Sequence, residues 1–364
     1  MSRTTSVILL VPVLVILWLG AVITGQQSAH ARDSSRAAYA MQRLLTAEVP
    51  VGSQSNNERI RAVRAAFAEV LVRVSGHASV LQISPVRSEL ARANDYVIQF
   101  SYTSQQGQTF LQVTFNEERI VALLRDSGAS VWSARRPQIM VWLAGQGLNG
   151  IELIGRDSGH AIVAPIMQQA QLRGLDLSYP LLDLTDRLAL NGSDVWGRFE
   201  QPVTAATQRY GANGIVMVRL LEAEHTDPVA EWSLVIGNLS TQGFTQHADI
   251  TQLGMQLAND IVEAVASAYA VSFAETEQAE VFLRLLNAHN LEHVLAAEQL
   301  LGRLSPVKRI IMTRYHQGTA EFSLVVVGNK ERLAHSLELE RRLQRIEDPW
   351  SRTESTVLEY RWLR

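Results

Sequence analysis

The pattern His-x-x-Glu-His at His289–His293 is the clearest candidate for catalytic chemistry in this sequence. On one helix face, two such histidines can hold Zn²⁺ while the glutamate activates a water molecule. The following carboxylates are candidates for the third ligand: Glu338, Glu340 and Glu359. Asn290, however, is a good helix N-cap, and a helix that begins after Asn290 leaves His289 outside, on no common face with His293. We therefore prefer the interpretation of a polar helix start.

Two further patterns are candidates for binding a phosphate or a metal ion. The run Gly145–Gly150 fits the glycine-rich fingerprint of dinucleotide-binding proteins, with Asp176 downstream. That fingerprint needs a helix that begins among its glycines, and here polar residues delay the next helix, so we interpret the run as an interdomain loop. Asp183, Asp186 and Asp194 are candidates for a cation site, although acidic residues where a strand gives way to a helix are more often caps.

Tryptophans in predicted loops are candidates for contacts with a protein partner, because tryptophan and arginine are over-represented at interfaces. Trp132 lies beside Arg135 and Arg136, and Trp350 lies in a loop with proline and aspartate. The alternative, which we prefer, is that these tryptophans are buried on the core of their own domain.

The composition excludes several classes of protein. The sequence has no cysteine, so it has no disulfide framework, no thiol nucleophile and no cysteine-ligated metal. Its formal charge of -3 at pH 7 gives no electrostatic reason to expect nucleic-acid binding. With 364 residues, 47% of them hydrophobic, the chain is long enough for two or three domains.

Residues 1–31 have the order of a secretory signal: a basic start, an apolar run from Val7 to Ile23, and the small-x-small sequence Ala29-His30-Ala31. The apolar run is close to the roughly 18 residues that can span a bilayer, so a cleaved signal and a retained membrane anchor both remain open. In either case we expect the chain from about Arg32 onward to face the periplasm.

The N-terminal residues 38–145 follow the order β-α-β-β-α-β, which is that of a ferredoxin-like split βαβ module. Ser55 and Glu58 predict a capping box at the start of the first helix, and Gln106-Gly107 predicts a hairpin turn. The continuous apolar run Ile139–Ala144 is predicted to be the last strand, buried on both faces.

The C-terminal residues 278–364 show the same order, with a hairpin predicted at Gln317-Gly318 and a final strand at Thr356–Leu363. In residues 150–270 helices alternate with strands, which predicts a sheet covered on one or both faces. The predicted fold class is therefore α/β (α+β), with two ferredoxin-like modules flanking a central α/β sheet module.

Several runs also carry a family resemblance: Ala47–Val51, Val70–Gly76, Tyr96–Tyr102, Ile139–Leu143, Pro180–Leu184, Asp194–Trp196 and Arg209–Ala212. In this order they resemble the family catalogued as domain of unknown function 2066, over most of the chain beyond the N-terminal segment. The resemblance implies a secreted or envelope-anchored proteobacterial protein. Since that family has no established activity, the resemblance transfers no catalytic residue.

The sequence thus predicts a non-enzymatic binding or scaffolding protein of the bacterial cell envelope, periplasmic or anchored in the inner membrane and facing the periplasm. Its expected partners are envelope proteins and not nucleic acid, and no catalytic residue, cofactor or metal ligand is assigned. The alternative hypothesis is a periplasmic zinc-dependent hydrolase that uses His289, Glu292 and His293.

Overall fold

The computed structural model describes residues 41–147, 150–223, 225–237, 239–272, 278–346 and 357–363. The chain divides into two units, Met1–Arg43 and Leu44–Arg364. In the first unit only residues 41–43 are described, and they are helical, so the predicted signal or anchor in residues 1–31 lies outside the described residues. Within the ranges given above, no helix combines the length and the apolar character that crossing a membrane requires.

The first sheet of the second unit is antiparallel and has the strand order β1-β3-β2. Its strands are β1 (Thr46–Val51), β2 (Val97–Gln105) and β3 (Gln108–Phe115). The associated helices are α1 (Asn56–Ser75), α2 (Ser84–Glu89) and α3 (Glu117–Asp126), with 3-10 turns at Ala78–Gln82 and Leu90–Tyr96. Apolar residues of α1 at helical spacing, such as Val63, Phe67 and Val70, are buried in the core of this module.

The predicted local signals of this module are largely confirmed. The Ser55 hydroxyl accepts the backbone N–H of Glu58, and Gly76 ends α1 in the left-handed region at φ +84°. The second half of the predicted capping box does not form, because the Glu58 carboxylate binds Arg61 and the backbone N–H of Ser55 donates to the Ser53 hydroxyl at 3.4 Å. The turn between β2 and β3 has positive φ at both Gln106 and Gly107, as a tight hairpin requires.

The central sheet has the strand order β10-β9-β8-β5-β6, with β7 also paired to β5. Its strands are β5 (Gln138–Gly147), β6 (Gly150–Ile154), β7 (Asp176–Ser178), β8 (Gly214–Leu221), β9 (Val229–Ile236) and β10 (Leu239–Gln246). Strand β5 runs parallel to β7 and β8, and the other pairs are antiparallel. A two-stranded ribbon of β4 (Ser130–Val131) and β11 (Val271–Ser272) lies apart from this sheet.

Helices cover both faces of the central sheet. They are α4 (Val163–Leu172), α5 (Leu184–Ala189), α6 (Gly192–Trp196), α7 (Glu200–Thr207) and α8 (Ile250–Tyr269). Val141 and Leu143 of β5 pack with α4 and α8, whereas Met140 and Trp142 pack with α6 and α7. The indole N–H of Trp142 donates to the Thr207 hydroxyl at 2.8 Å, which satisfies the polar atom of this buried ring.

The strand at Ile139–Ala144 was predicted to close the N-terminal module, and the structure places it in the central sheet instead, beside β8. A strand that is apolar on both sides needs a layer of helices on each face. The central sheet provides both layers, which explains why this run belongs there.

The third sheet has the strand order β13-β14-β12-β16-β15. Its strands are β12 (Gln278–Leu286), β13 (Val307–His316), β14 (Thr319–Val327), β15 (Leu343–Arg345) and β16 (Val357–Trp362). Helices α9 (Leu291–Gly302) and α10 (Lys330–Glu338) pack on one face and share a core with it. Gln317 and Gly318 both have positive φ, which confirms the second predicted hairpin turn.

The fold class predicted from the sequence, mixed α and β, is confirmed, whereas the ferredoxin-like description of the end modules is not. The N-terminal sheet has three strands within the described residues. In the C-terminal sheet the unpredicted strand β15 reverses the chain before β16, so β16 runs parallel to β12. A three-residue strand carries too short a pattern to be recognised in the sequence.

Candidate functional site

The histidine motif forms a helix start in the structure. The side chain of Asn290 accepts the backbone N–H of His293 at 2.8 Å, so α9 begins at Leu291 and the predicted cap is confirmed. His289 lies before the helix, where its Nε2 is 2.6 Å from the Asn287 side-chain oxygen. The ring of His293 instead lies 6.5 Å from the ring of Trp362, so the two histidines do not share a helix face.

Each of the three carboxylates that we considered as a third zinc ligand contacts an arginine. These pairs are Glu338 with Arg345, Glu340 with Arg135, and Glu359 with Arg284. Over the described residues, no group of three histidine, cysteine, aspartate or glutamate side chains has the spacing needed to hold a metal ion.

The glycine run of residues 145–150 joins two antiparallel strands of the central sheet. Strand β5 ends at Gly147 and β6 begins at Gly150, while Leu148 and Asn149 lie outside the described residues. The interpretation as an interdomain loop is therefore corrected to a hairpin within one sheet. A dinucleotide site needs a helix N-terminus at this point, and the run leads into a strand.

Two of the three aspartates proposed as a cation site instead bind one arginine. The two terminal guanidinium nitrogens of Arg209 donate to the Asp183 carboxylate, Nη2 at 2.8 Å and Nη1 at 2.9 Å. Nη1 also donates to Asp186 at 3.0 Å. Asp183 is the N-cap of α5, and its carboxylate accepts the backbone N–H of Asp186. Asp194 is elsewhere, where it forms a reciprocal capping box with Asn191 at the start of α6.

Asp186 is the centre of this network. Its side chain is 1% exposed, and it accepts hydrogen bonds from the Tyr210 hydroxyl at 2.5 Å and from the backbone N–H of Leu182 at 2.9 Å. The Tyr210 hydroxyl in turn accepts the backbone N–H of Leu181 at 3.0 Å. A buried carboxylate with this number of donors fixes the backbone of the loop that precedes α5.

The charges of the network shift the pKa values of its members. The hydrogen bonds from Arg209 hold the pKa of the Asp183 carboxyl well below its ordinary value, and the same contact raises the pKa of Arg209. Burial, followed by the hydrogen bond to Asp186, raises the pKa of the Tyr210 hydroxyl. At neutral pH Asp183 is therefore ionised, Arg209 is charged and the Tyr210 phenol is neutral.

The network supports a surface that consists of the exposed side chains of Leu181, Leu184 and Leu188, which we call the leucine surface. Their exposed fractions are 71%, 72% and 79%, far above what these residues show when they contribute to a core. Leu184 and Leu188 are four residues apart on α5 and so lie on one helix face. Three large apolar side chains exposed beside a buried polar network make this segment a candidate contact surface.

The tryptophan and arginine cluster has a structural role. Trp132 is buried in the central core, so the interpretation that we preferred for it is confirmed, while Trp350 lies outside the described residues. The guanidinium of Arg136 stacks 4.0 Å above the Trp132 ring, and Arg135 contacts Glu340.

The N-terminal module also contains a shallow cleft of about 420 Å³, a volume within the range of small-molecule sites. In it, the Tyr96 hydroxyl donates to Glu89 at 3.1 Å, and the Arg119 guanidinium lies 5.0 Å from the Tyr96 ring. Burial, with a contribution from Glu89, raises the pKa of Tyr96 to about 12, so the phenol stays protonated at neutral pH. Since Tyr96 and Glu89 bind each other, these groups do not define the chemistry of a ligand.

Comparison with known families covers part of the chain. Residues 38–133 match a family model described as Domain of unknown function (DUF8605), which is about a quarter of the sequence and includes the whole cleft. The resemblance to domain of unknown function 2066 is therefore wrong, because the matching model is that of a different family of unknown function. No curated protein matches the chain.

The sequence alone did not reveal the leucine surface. Arg209 and Tyr210 are 23 and 24 residues from Asp186, and no periodicity connects them. Leu184 and Leu188 are four residues apart, which is also the spacing of an ordinary buried helix face. The one available signal was the cluster of Asp183 and Asp186, which indicates helix caps in general but did not predict a helix that begins at Leu184.

Proposed function

We propose that this chain is a non-enzymatic binding or assembly component of the bacterial cell envelope and that its leucine surface holds a protein partner. The observation that carries the proposal is the exposure of Leu181, Leu184 and Leu188 on a segment fixed by Asp186. A rigid apolar surface loses little conformational entropy on binding, so more of its burial contributes to affinity.

The envelope location in this proposal rests on the N-terminal sequence. An apolar run such as Val7–Ile23, followed by a small-x-small site such as Ala29-x-Ala31, is typical of an exported or anchored protein. A reporter fused after Arg364 should be active in the periplasm, and activity confined to the cytoplasm would contradict this part of the proposal.

Site-specific crosslinking in intact cells tests the leucine surface directly. A photoreactive residue at position 184 or 188 should give the same discrete protein adduct. The matched control is position 204 on α7, because Thr204 is also exposed on a helix of the central module but lies outside the leucine surface. Absence of an adduct at both leucine positions, with the protein present at normal abundance, would refute the proposal.

The alternative, a zinc-dependent hydrolase, makes a different prediction. Zinc at one equivalent in the purified protein, lost on replacement of His293, would favour the hydrolase. The contacts of the candidate zinc ligands favour the binding function. His289 contacts Asn287, and the three candidate carboxylates contact arginines: Glu338, Glu340 and Glu359.

A further inference from the structure

Strand β13 forms one edge of the C-terminal sheet. Among the described strands only β14 pairs with it, with register shifts between Val307 and Arg309 and between Met312 and Arg314. From Lys308 to His316 every side chain except that of Ile310 is exposed. An edge strand presents N–H and C=O groups that can pair with a further strand, and this edge is ten residues long.

The edge is basic, although the protein as a whole is acidic. It contains Lys308, Arg309 and Arg314 and no acidic residue, against a formal charge of -3 for the entire chain. On β14, Glu321 lies opposite Arg314, but it is already bonded to Arg284 at 3.1 Å. Arg309 lies opposite Val325. The positive charge along β13 is therefore only partly compensated by the neighbouring strand.

Apolar side chains accompany this charge on both faces of the strand. Ile311 is 48% exposed and lies opposite Ser323, on the sheet face away from the C-terminal core. Met312 is 43% exposed and lies opposite Phe322, on the face that packs against this core. The Tyr315 hydroxyl donates to the carbonyl of Ala288 at 3.1 Å, which fixes the end of the strand next to the hairpin. An added strand would therefore meet an apolar neighbour on each face.

A second copy of this chain is a poor occupant of the edge. Antiparallel pairing of β13 with itself over its full length would place Arg309 opposite Arg314 of the other copy, and this would occur twice. Like charges directly opposite each other destabilise a strand pair. The same charges attract a segment with carboxylates at these positions.

We propose that β13 docks an extended acidic segment of a protein partner, which adds to the sheet as a further strand. This inference goes beyond the proposed function because it defines a second surface and the chemistry of its partner, and it does not depend on the leucine surface. Backbone hydrogen bonds would supply affinity, and the basic side chains would select acidic sequences.

Synthetic peptides provide the test, with the full chain kept in mild detergent because of its apolar N-terminal segment. A labelled peptide of alternating valine and glutamate should bind about tenfold more tightly than the same peptide with lysine in place of glutamate. Binding is measured by fluorescence anisotropy. Hydrogen exchange should slow in β13 but not in β2, an edge strand that carries no charged residue and so serves as an internal control.

Charge reversal identifies the residues responsible. The triple variant K308E/R309E/R314E should weaken binding of the glutamate peptide by about tenfold and should strengthen binding of the lysine peptide. The control R64E/R87E changes exposed arginines of the N-terminal module and should leave both affinities unchanged. If the triple variant does not fold, K308E alone should shift both affinities in the same directions.

Four outcomes would overturn the proposal. They are equal binding of both peptides, unchanged binding after N-methylation of alternate peptide amides, preferential displacement of the peptide by anionic vesicles or single-stranded DNA, and dimerisation of the chain through β13. The variant L181E/L188E separates this inference from the proposed function, because it should abolish crosslinking from a photoreactive residue at position 184 and leave peptide binding intact.

Discussion

The two end modules are attached to the central module in different ways. At the N-terminal junction Arg73 and Arg136 donate to backbone carbonyls, and Arg173 donates to the carbonyl of Gly76 as well as to the side chains of Asn259 and Glu263. At the C-terminal junction Arg135 contacts the carboxylate of Glu340. At the N-terminal junction, buried arginine side chains therefore bind the backbone of the neighbouring module. At the C-terminal junction two side chains bind each other, and that of Arg135 is nearly half exposed.

The carbonyls at the N-terminal junction belong to different elements. Arg73 donates to the carbonyls of Thr46 at 2.7 Å and Leu172 at 2.6 Å, Arg136 to that of Arg73 at 2.6 Å, and Arg173 to that of Gly76 at 2.9 Å. Burial, followed by the charges of Arg73 and Arg173, lowers the pKa of Arg136 to about 9, so it remains protonated at neutral pH.

The C-terminal junction has a different set of contacts among the described residues. Besides the pair of Arg135 and Glu340, the rings of Tyr269 and His335 lie 5.6 Å apart, and Leu339 packs against the central core. The C-terminal module has a core made of its own residues. From this comparison we expect the N-terminal and central modules to fold as one unit and the C-terminal module to be separable, although residues 44–364 pack as a single compact unit.

The largest expected effect comes from cutting the chain. A fragment of residues 278–364 should unfold cooperatively, because its core is complete. A fragment of residues 38–145 should aggregate or remain molten, because it exposes both apolar faces of β5 and lacks the central helices that cover them. Thermal melts followed by circular dichroism, with hydrogen exchange as a second probe, distinguish these results. Cooperative unfolding of both fragments would contradict the expected difference between the two end modules.

The β-α-β-β-α-β order alone predicts that both fragments fold independently, and the structure changes this expectation only for residues 38–145, because β5 lies in the central sheet. Caps and hairpin turns at Ser55, Gln106-Gly107 and Gln317-Gly318 are local, so they were recognised correctly. The sheet to which Ile139–Ala144 belongs depends on long-range pairing with β8, which a local pattern does not contain. The leucine surface was missed for the same reason, because Asp186 and Arg209 meet only in the folded chain.

The next effect concerns the arginines of the N-terminal junction. Replacement of Arg136 by methionine should lower the free energy of unfolding by about 3 kcal/mol, because buried carbonyls of Arg73 and Arg173 lose their donor. Urea denaturation measures this change. Arg64→Met, at an exposed position of α1, is the control and should have almost no effect. Equal effects of the two variants would show that the junction contributes little.

A smaller effect is expected at the C-terminal junction. Replacement of Arg135 by methionine should cost about 1 kcal/mol, because Arg135 is partly exposed and the pair is screened by solvent, although Glu340 is buried. Calorimetry should show the C-terminal module melting earlier and separately, with the remaining transition unchanged. A loss as large as that of Arg136→Met would contradict the difference between the two junctions.

Acid should distinguish carboxylate contacts from the contacts of arginine with carbonyls. The folded-state pKa of Asp183 is lowered, so its stabilising effect is complete above the ordinary carboxyl pKa and is lost as the pH falls through the lower folded value. Asp183→Asn should therefore be less stable than the parent at pH 6, and the difference should begin to shrink only below about pH 4 and vanish as the pH falls through the lowered folded-state pKa of Asp183. In contrast, the difference between parent and Arg136→Met should persist in acid, because carbonyls do not titrate in this range. If both variants reached the stability of the parent in acid, the two kinds of arginine contact would not differ in their pH dependence.

The smallest effect is expected at Glu292, in the first turn of α9, and the cap of α1 at Ser55 provides a comparison. Replacement of Glu292 by glutamine should cost only about 0.3 kcal/mol, through loss of a negative charge near the N-terminus of α9. Ser55→Ala removes the side-chain acceptor that caps α1 and should cost about 1 kcal/mol. Denaturant unfolding measures both changes, and the cellular phenotype of Glu292→Gln should match that of the parent. A null phenotype in a folded, abundant Glu292→Gln protein would instead require chemistry at His289–His293, and the proposed binding function would fail.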